Sequence, residues 1–221
     1  YLVTAFAATA YGKEILQGQH CQVHVGRLDA DGFRQALAEM DAVADASHPF
    51  AQEVTATVRQ VCRELQLPYF RLGRQPVSYA YDKIVRVSSK EAAAAYLAET
   101  SGNVLLTTGV NTLLYYEAAV PGLAPRCWAR ILDTPDSRKA AAGAASHLIY
   151  AMPPFSQADT FALLRQHHIG VLVTKDSGNR GGVAEKIAAA EQMQILVVLI
   201  GAPEEKTASI PEILRAIERS F

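Results

Sequence analysis

Residues 174–182, TKDSGNRGG, place six polar side chains among three glycines, between an apolar run and the helix-forming stretch VAEKIAAAEQ. Thr174, Lys175 and Ser177 offer donors to phosphate or carboxylate oxygens, and Gly178, Gly181 and Gly182 let a ligand approach the backbone closely. The spacing is neither G-x-G-x-x-G nor G-x-x-x-x-G-K-[ST], because Val183 follows Gly182, and a phosphate-loop NTPase is disfavoured. Alone, the stretch reads equally well as a glycine-rich connection.

Three further loops share its setting after an apolar segment and before a helix: DASHPF at 45–50, TTGVN at 107–111 and AMPPFS at 151–156. Such loops aim backbone N–H groups and the positive end of a helix at one place, which suits anions. His48, directed by Pro49, is a candidate for proton transfer or substrate hydrogen bonding, and equally a residue that ties down its own loop. Thr107, Thr108 and Gly109 either hold a ligand or cap the next helix. Arg71, Arg74 and Arg130 have the fork geometry for bidentate carboxylate pairing, with surface ion pairs as the plainer alternative.

The elements that must position these loops alternate along the chain. Strands are predicted at 2–9, 21–25, 41–45, 84–87, 103–107, 126–131, 147–151, 170–174 and 195–200, and helices at 29–40, 51–66, 89–99, 137–145, 157–168, 182–193 and 210–220. Val54, Val58, Val61 and Leu65 recur at helical spacing along one face, and Asp29, Ser88 and Ser156 stand at helix starts as caps. The alternation implies an α/β protein of two Rossmann-like, doubly wound halves with a cleft between them. Two prolines, a glycine and several aromatics in PYFRLGRQPVSYAYD at 68–82 mark the boundary, giving an N-terminal domain at 1–82 and a C-terminal domain at 83–221. Residues 1–9 already read as a strand with no initiator methionine and no preceding cap or loop, so the natural N-terminus is expected to be missing.

The 221 residues are half hydrophobic, with 21 basic and 22 acidic side chains and a net charge of -1. That balance offers no electrostatic footprint for nucleic acid. No apolar run approaches the ~20 residues of a membrane span, and neither a membrane partner nor a secretion signal is expected. Cys21, Cys62 and Cys127 are odd in number and far apart, fitting reduced thiols in the cytoplasm. No metal site is expected: His20, Cys21 and His24 lie close in sequence, but Cys21 and His24 project to opposite faces of a strand.

In order and spacing, SHPFA at 47–51, RLGRQP at 71–76, TTG at 107–109, ARIL at 129–132, PPFS at 153–156 and TKDSGNRGGVAEK at 174–186 resemble the precorrin-6A reductase family, including its cobalt-precorrin-6A form. The resemblance spans nearly the whole chain. It implies a two-domain Rossmann-like oxidoreductase of cobalamin biosynthesis, transferring hydride from a reduced nicotinamide to a corrin-precursor macrocycle. NADPH is the cofactor expected first, with NADH as the alternative.

The family's opening Gly-Gly-Thr loop is absent here, Pro153 stands where Gly-Pro-Phe-Ser is common, Gln75 interrupts an Arg-Pro pair, and Val110 replaces a commonly polar residue. On this resemblance, Thr107, Thr108, Gly109, Thr174, Ser177, Gly178, Gly181 and Gly182 are the cofactor-binding candidates. Arg71, Arg74, Arg130, Phe155 and Ser156 are the candidates for the acidic macrocycle, and Lys175 also suits its carboxylates. His48, Lys175, Asp176 or solvent can supply the proton that accompanies hydride. Two other readings stay open: a dehydrogenase of small carbonyl compounds, and a non-catalytic nucleotide- or tetrapyrrole-binding module.

Overall fold

The computed structural model describes residues 1–74, 77–178 and 182–220. By their contacts these residues form two units, 1–73 with 206–221, and 74–205. The last helix, at 210–220, groups with the first of these units.

The first unit runs β1 (Thr4–Ala7), α1 (Ala10–Leu16), β2 (Gln22–Val25), α2 (Ala30–Leu37), β3 (Val43–Asp45), α3 (Gln52–Glu64) and β4 (Tyr69–Arg71). Its strands pair in parallel as β1 with β2 and β3 with β4, two separate small sheets. Val58 and Val61 of α3 are buried against Phe33 and Leu37 of α2, with Val54 and Leu65 packed at the margin, as the helical spacing requires. Asp29 caps α2 by accepting from the Gly32 N–H at 2.8 Å.

In the second unit follow β5 (Ile84–Val87), α4 (Lys90–Ala98), β6 (Asn103–Leu106), α5 (Leu113–Ala119), β7 (Cys127–Leu132), α6 (Pro135–Ala140), β8 (His147–Ala151), α7 (Gln157–Gln166), β9 (Ile169–Lys175), α8 (Val183–Gln192) and β10 (Leu196–Ile200). They build a six-stranded, wholly parallel sheet in the order β5-β10-β9-β6-β7-β8. Leu105, Leu172 and Val197 lie in register across it, completely buried beneath Leu164 and Ile187 of the covering helices. Each such side chain contributes about 1.5–3 kcal/mol by leaving water. The cap of α4 is Ser89, accepting from the Ala92 N–H at 3.2 Å, rather than the expected Ser88.

The chain leaves β6 toward β7 on one side and leaves β9 toward β10 on the other. The two strands are neighbours, so the direction of winding reverses between their carboxyl ends. Open parallel sheets bind ligands at such a point, because the departing loops splay apart there.

From β10 the chain returns to the first unit, where α9 (Ile210–Ser220) ends it. Before α9, the Ala208 N–H donates to the Arg71 carbonyl at 2.8 Å and the Gly73 N–H donates to the Ala208 carbonyl at 2.9 Å. A Cβ on Gly73 would stand 2.5 Å from Thr207 Oγ1, so this approach requires glycine.

Candidate functional site

The switch point lies between two of the loops singled out by sequence, the one after β6 with Thr107, Thr108 and Gly109 and the one after β9 with Asp176, Ser177 and Gly178. Most of their hydroxyls are turned inward. Thr107 Oγ1 donates to the Val173 carbonyl at 3.0 Å, and Thr108 Oγ1 lies 2.8 Å from Thr112 Oγ1, which donates to the Gly109 carbonyl. Thr174 and Ser177 are buried, and the Ser177 carbonyl accepts from Arg74 Nη1 at 3.0 Å. These side chains shape the loops, leaving backbone as the surface they offer. Gly109 at φ 89° and Gly178 at φ 70° occupy the left-handed region the turns demand, and a Cβ on Gly109 would meet nothing within 4 Å. Gly182 begins α8 at φ 64°, while Gly181 lies outside the described residues, as do Gln75 and Pro76 of the RLGRQP motif.

Asp176 is held from both oxygens: Oδ1 accepts from the Gly178 N–H at 3.3 Å, and Oδ2 pairs with Arg86 Nη1 at 3.2 Å. Lys175, next to it, is half-buried. Burial, and then the like charge of Lys90, lower its ammonium below the ordinary lysine range. Lys90 opens α4 with its Nζ 4.6 Å from the centroid of the Tyr115 ring, and no sequence motif drew attention to it.

On the α7 and α8 side of the sheet, Arg130 stands two residues after Trp128 in β7, on the same face as Leu105 and Leu172. It is buried, its Nη1 donates to Thr160 Oγ1 at 3.2 Å, and its guanidinium lies 4.0 Å from the centroid of the Phe155 ring. Burial lowers it to about 10, against the opposing pull of Asp159, so it remains a cation at neutral pH. Ser156 serves as the cap of α7, with the Asp159 N–H donating to its Oγ while Asp159 Oδ2 accepts from the Ser156 N–H and hydroxyl.

Lys186 of α8 was not singled out by sequence. It is buried, with Nζ 3.5 Å from Thr174 Oγ1, and burial followed by the charge of Arg130 pushes it down to about 8. Its signal was its position, since Val183, Ile187 and Ala190 are the buried stripe of α8 and Lys186 falls within it.

In the first unit, Arg71 points inward. Its Nη1 donates to Asp45 Oδ1 at 3.2 Å and to the Ser47 carbonyl at 2.9 Å. Asp45 Oδ2 accepts from Thr55 at 2.9 Å and Tyr69 at 2.8 Å, and Oδ1 accepts from the Ser47 N–H. Burial and then Asp45 push the Tyr69 phenol up to about 12, keeping it a neutral donor. This network holds the loop that presents His48, whose Nδ1 accepts from the Phe50 N–H at 3.3 Å.

Among the described residues, no group of three or more His, Cys, Asp and Glu side chains is arranged to hold a metal ion, and no helix is long and apolar enough to cross a membrane.

Residues 1–218 match the family described as precorrin-6x reductase CbiJ/CobK. The chain is 33% identical over 210 residues to the cobalt-precorrin-6A reductase of Priestia megaterium, covering 92% of this chain and 82% of that protein. It is 38% identical over 175 residues to the precorrin-6A reductase of Mycobacterium tuberculosis, covering 78% and 68%. The solved structure of the precorrin-6A reductase CobK superposes with a TM-score of 0.77 at 20% identity over 99% of this chain and 96% of that one, a likeness of fold.

Proposed function

This chain belongs to the precorrin-6x reductase CbiJ/CobK family, and from that premise we propose how its loops serve the reaction. The activity is that of a precorrin-6A reductase, an oxidoreductase of cobalamin biosynthesis that draws on a reduced nicotinamide. The finer assignment is NADPH, with NADH as the competitor, in a cytoplasmic enzyme whose two contact units are its domains.

One observation carries the site assignment: the winding of the six-stranded sheet reverses between β6 and β9, beside the two loops that expose glycine backbone. The nicotinamide supplies hydride when bound. The backbone of Thr107 to Gly109 and of Ser177, Gly178 and Gly182 is assigned to its phosphates and ribose, with Thr107, Thr108, Thr174 and Ser177 fixing loop shape from beneath. The open space over Gly109 fits a ligand pressed against the backbone.

The macrocycle's carboxylates are assigned to Arg130 and Lys175, with Phe155 offering an apolar face. Arg74 supports the site by gripping the Ser177 carbonyl, and Ser156 by starting α7. Asp176 keeps Lys175 in place through Gly178 and Arg86. Lys175 is the proposed proton donor in the second unit. In the first, His48 is the candidate, and Arg71 acts by holding its loop.

The test is anaerobic turnover of metal-free and cobalt-containing precorrin-6A with each reduced nicotinamide, followed by the macrocycle's absorbance and nicotinamide oxidation. Coupled changes are expected, faster with NADPH. Reduction of small carbonyl compounds alone, or binding without either change, would refute the reading.

A further inference from the structure

Arg130 is only 5% exposed, yet its Nη2 is buried without a hydrogen-bond partner among the described residues. An unpaired nitrogen on a buried cation is costly unless something completes it. Its Nη1 is used by Thr160, and Phe155 covers one face of the guanidinium. Among the described residues the acid that acts on Arg130 is Asp159, whose Oδ2 already accepts twice from Ser156.

Arg130 lines a cavity of about 440 Å³ between β8 and α7, whose other walls include Ile149, Met152, Phe155 and Leu163 together with the polar Asp159 and Gln166. Apart from Asp159 and Gln166 the rest of that lining is apolar, which suits an acid on an apolar stem seated against Arg130. A phosphate is disfavoured, because Asp159 already places a carboxylate at the start of α7 and would repel a dianion more strongly than a monoanion.

We propose that this cavity is a subsite for one carboxylate-bearing arm of the substrate, with Arg130 Nη2 donating to the carboxylate and Phe155 and Met152 flanking its methylenes. The assignment rests on the reductase reading for the identity of the arm, but the chemistry it selects, an aliphatic monocarboxylate, is independent of that reading. It goes beyond a general affinity for acidic groups: one arm is fixed in depth, which sets the register of the macrocycle on the sheet.

The experiment uses the full chain and the probes butanoate and hexanoate, each compared with its neutral amide and with inorganic phosphate. The acids are expected to raise the melting temperature of the wild type more than their amides or phosphate do. Arg130→Gln is expected to abolish that difference, and Arg130→Lys to retain part of it. Because a buried substitution can fail to fold, Ala162→Phe provides the second arm. Ala162 is exposed on α7 at the cavity's rim, so a larger side chain blocks the cavity without disturbing the core.

With precorrin-6A, the folded variants are expected to raise the macrocycle KM on the order of tenfold, with the nicotinamide KM unchanged. Equal stabilisation of wild type and Ala162→Phe by the acids would overturn the subsite. So would no acid preference in the wild type, or a loss of nicotinamide affinity alone, which would mark a phosphate site. Acid binding that depends on Arg130 in a protein that fails to reduce precorrin-6A would instead sink the reductase reading and leave the subsite standing.

Discussion

Arg71 Nη1 stands 3.2 Å from Asp45 Oδ1, with both side chains almost fully withdrawn from water. Such a pair is tolerable only because Ser47, Thr55 and Tyr69 complete the carboxylate's hydrogen bonds. Removing the negative charge strands a buried guanidinium, at a cost of about 3–5 kcal/mol. Asp45→Asn is therefore expected to lower the urea midpoint of unfolding sharply, whereas Asp133→Asn, which breaks the exposed pair with Arg138, is expected to cost less than about 1 kcal/mol. Similar losses in the two variants would show that the Asp45 network does not hold the His48 loop.

The same carboxylate sets an acid limit. Burial raises the Asp45 pKa, but hydrogen bonds from Ser47, Tyr69 and Thr55 outweigh it and leave the group below its ordinary value. A carboxylate lowered in the folded state contributes stability above its unfolded pKa and loses that contribution as pH falls through the folded one. The stability gap between wild type and Asp45→Asn should thus be full at pH 6 and close below about pH 4. A gap that stayed constant down to pH 2 would contradict the ionised pair.

The parallel sheet of the second unit was legible because its strands are short apolar runs separated by strong helix formers, and each of β5 to β10 falls on a predicted strand. β4 was not, since Tyr69–Arg71 sits between proline and glycine and read as a linker; only its pairing with Val43–Asp45 makes it a strand. α1 and α5 were missed for a similar reason: neither shows a marked apolar stripe at helical spacing, α1 buries no residue, and α5 begins from a tight turn. The switch-point loops were found by composition. What composition could not give was direction: Thr108, Thr174 and Arg71 look like ligand donors in a one-dimensional list, and their hydrogen-bond partners, up to 66 residues away for the neighbouring Thr107, turn them inward. Lys186 was overlooked because an isolated lysine in a helix is ordinarily solvated.

Trp128, the single tryptophan, is stacked between His147 at 4.5 Å and His167 at 5.2 Å between ring centroids. Burial, then the neighbouring charges of His147 and His168, lower the pKa of His167 below the ordinary 6.5. Protonation of a stacked imidazole should quench the indole, so tryptophan emission is expected to fall as pH drops below 6.5, while far-UV circular dichroism stays constant. His167→Phe should remove that part of the titration. Emission unchanged between pH 7.5 and 5 would show that the stack does not persist in solution.

Lys175 and Lys90 repel one another, and this lowers Lys175 in addition to the effect of burial. The charged form is the one that attracts an anion, so affinity for the acidic macrocycle should fall as pH rises through the lowered value. Lys90→Met removes the repulsion and should move that alkaline limb to higher pH, leaving neutral-pH affinity within a few-fold of wild type. Lys175→Met should flatten the limb and weaken binding on the order of tenfold. An alkaline limb that does not move in Lys90→Met would mean that another group controls it.

Lys186 gives the reverse dependence for stability. Its ammonium is buried beside Arg130 and titrates near 8 in the folded chain against an ordinary 10.5. The unfolded chain therefore binds more protons between these values, and folding stability must rise with pH across that window. The full gain is on the order of 3 to 4 kcal/mol, about 1.4 kcal/mol per pH unit. Lys186→Met has no proton to exchange, so the difference between its unfolding free energy and that of wild type, measured by urea melts from pH 7 to 10, should shift toward wild type as pH rises. Comparing the two proteins at each pH cancels the contribution of Lys175. Arg130→Gln should raise the Lys186 pKa and carry the onset of the rise above pH 8, because the repelling charge of Arg130 has gone. If the difference between wild type and Lys186→Met were flat from pH 7 to 10, the ammonium would have to be solvated in the folded protein rather than buried beside Thr174.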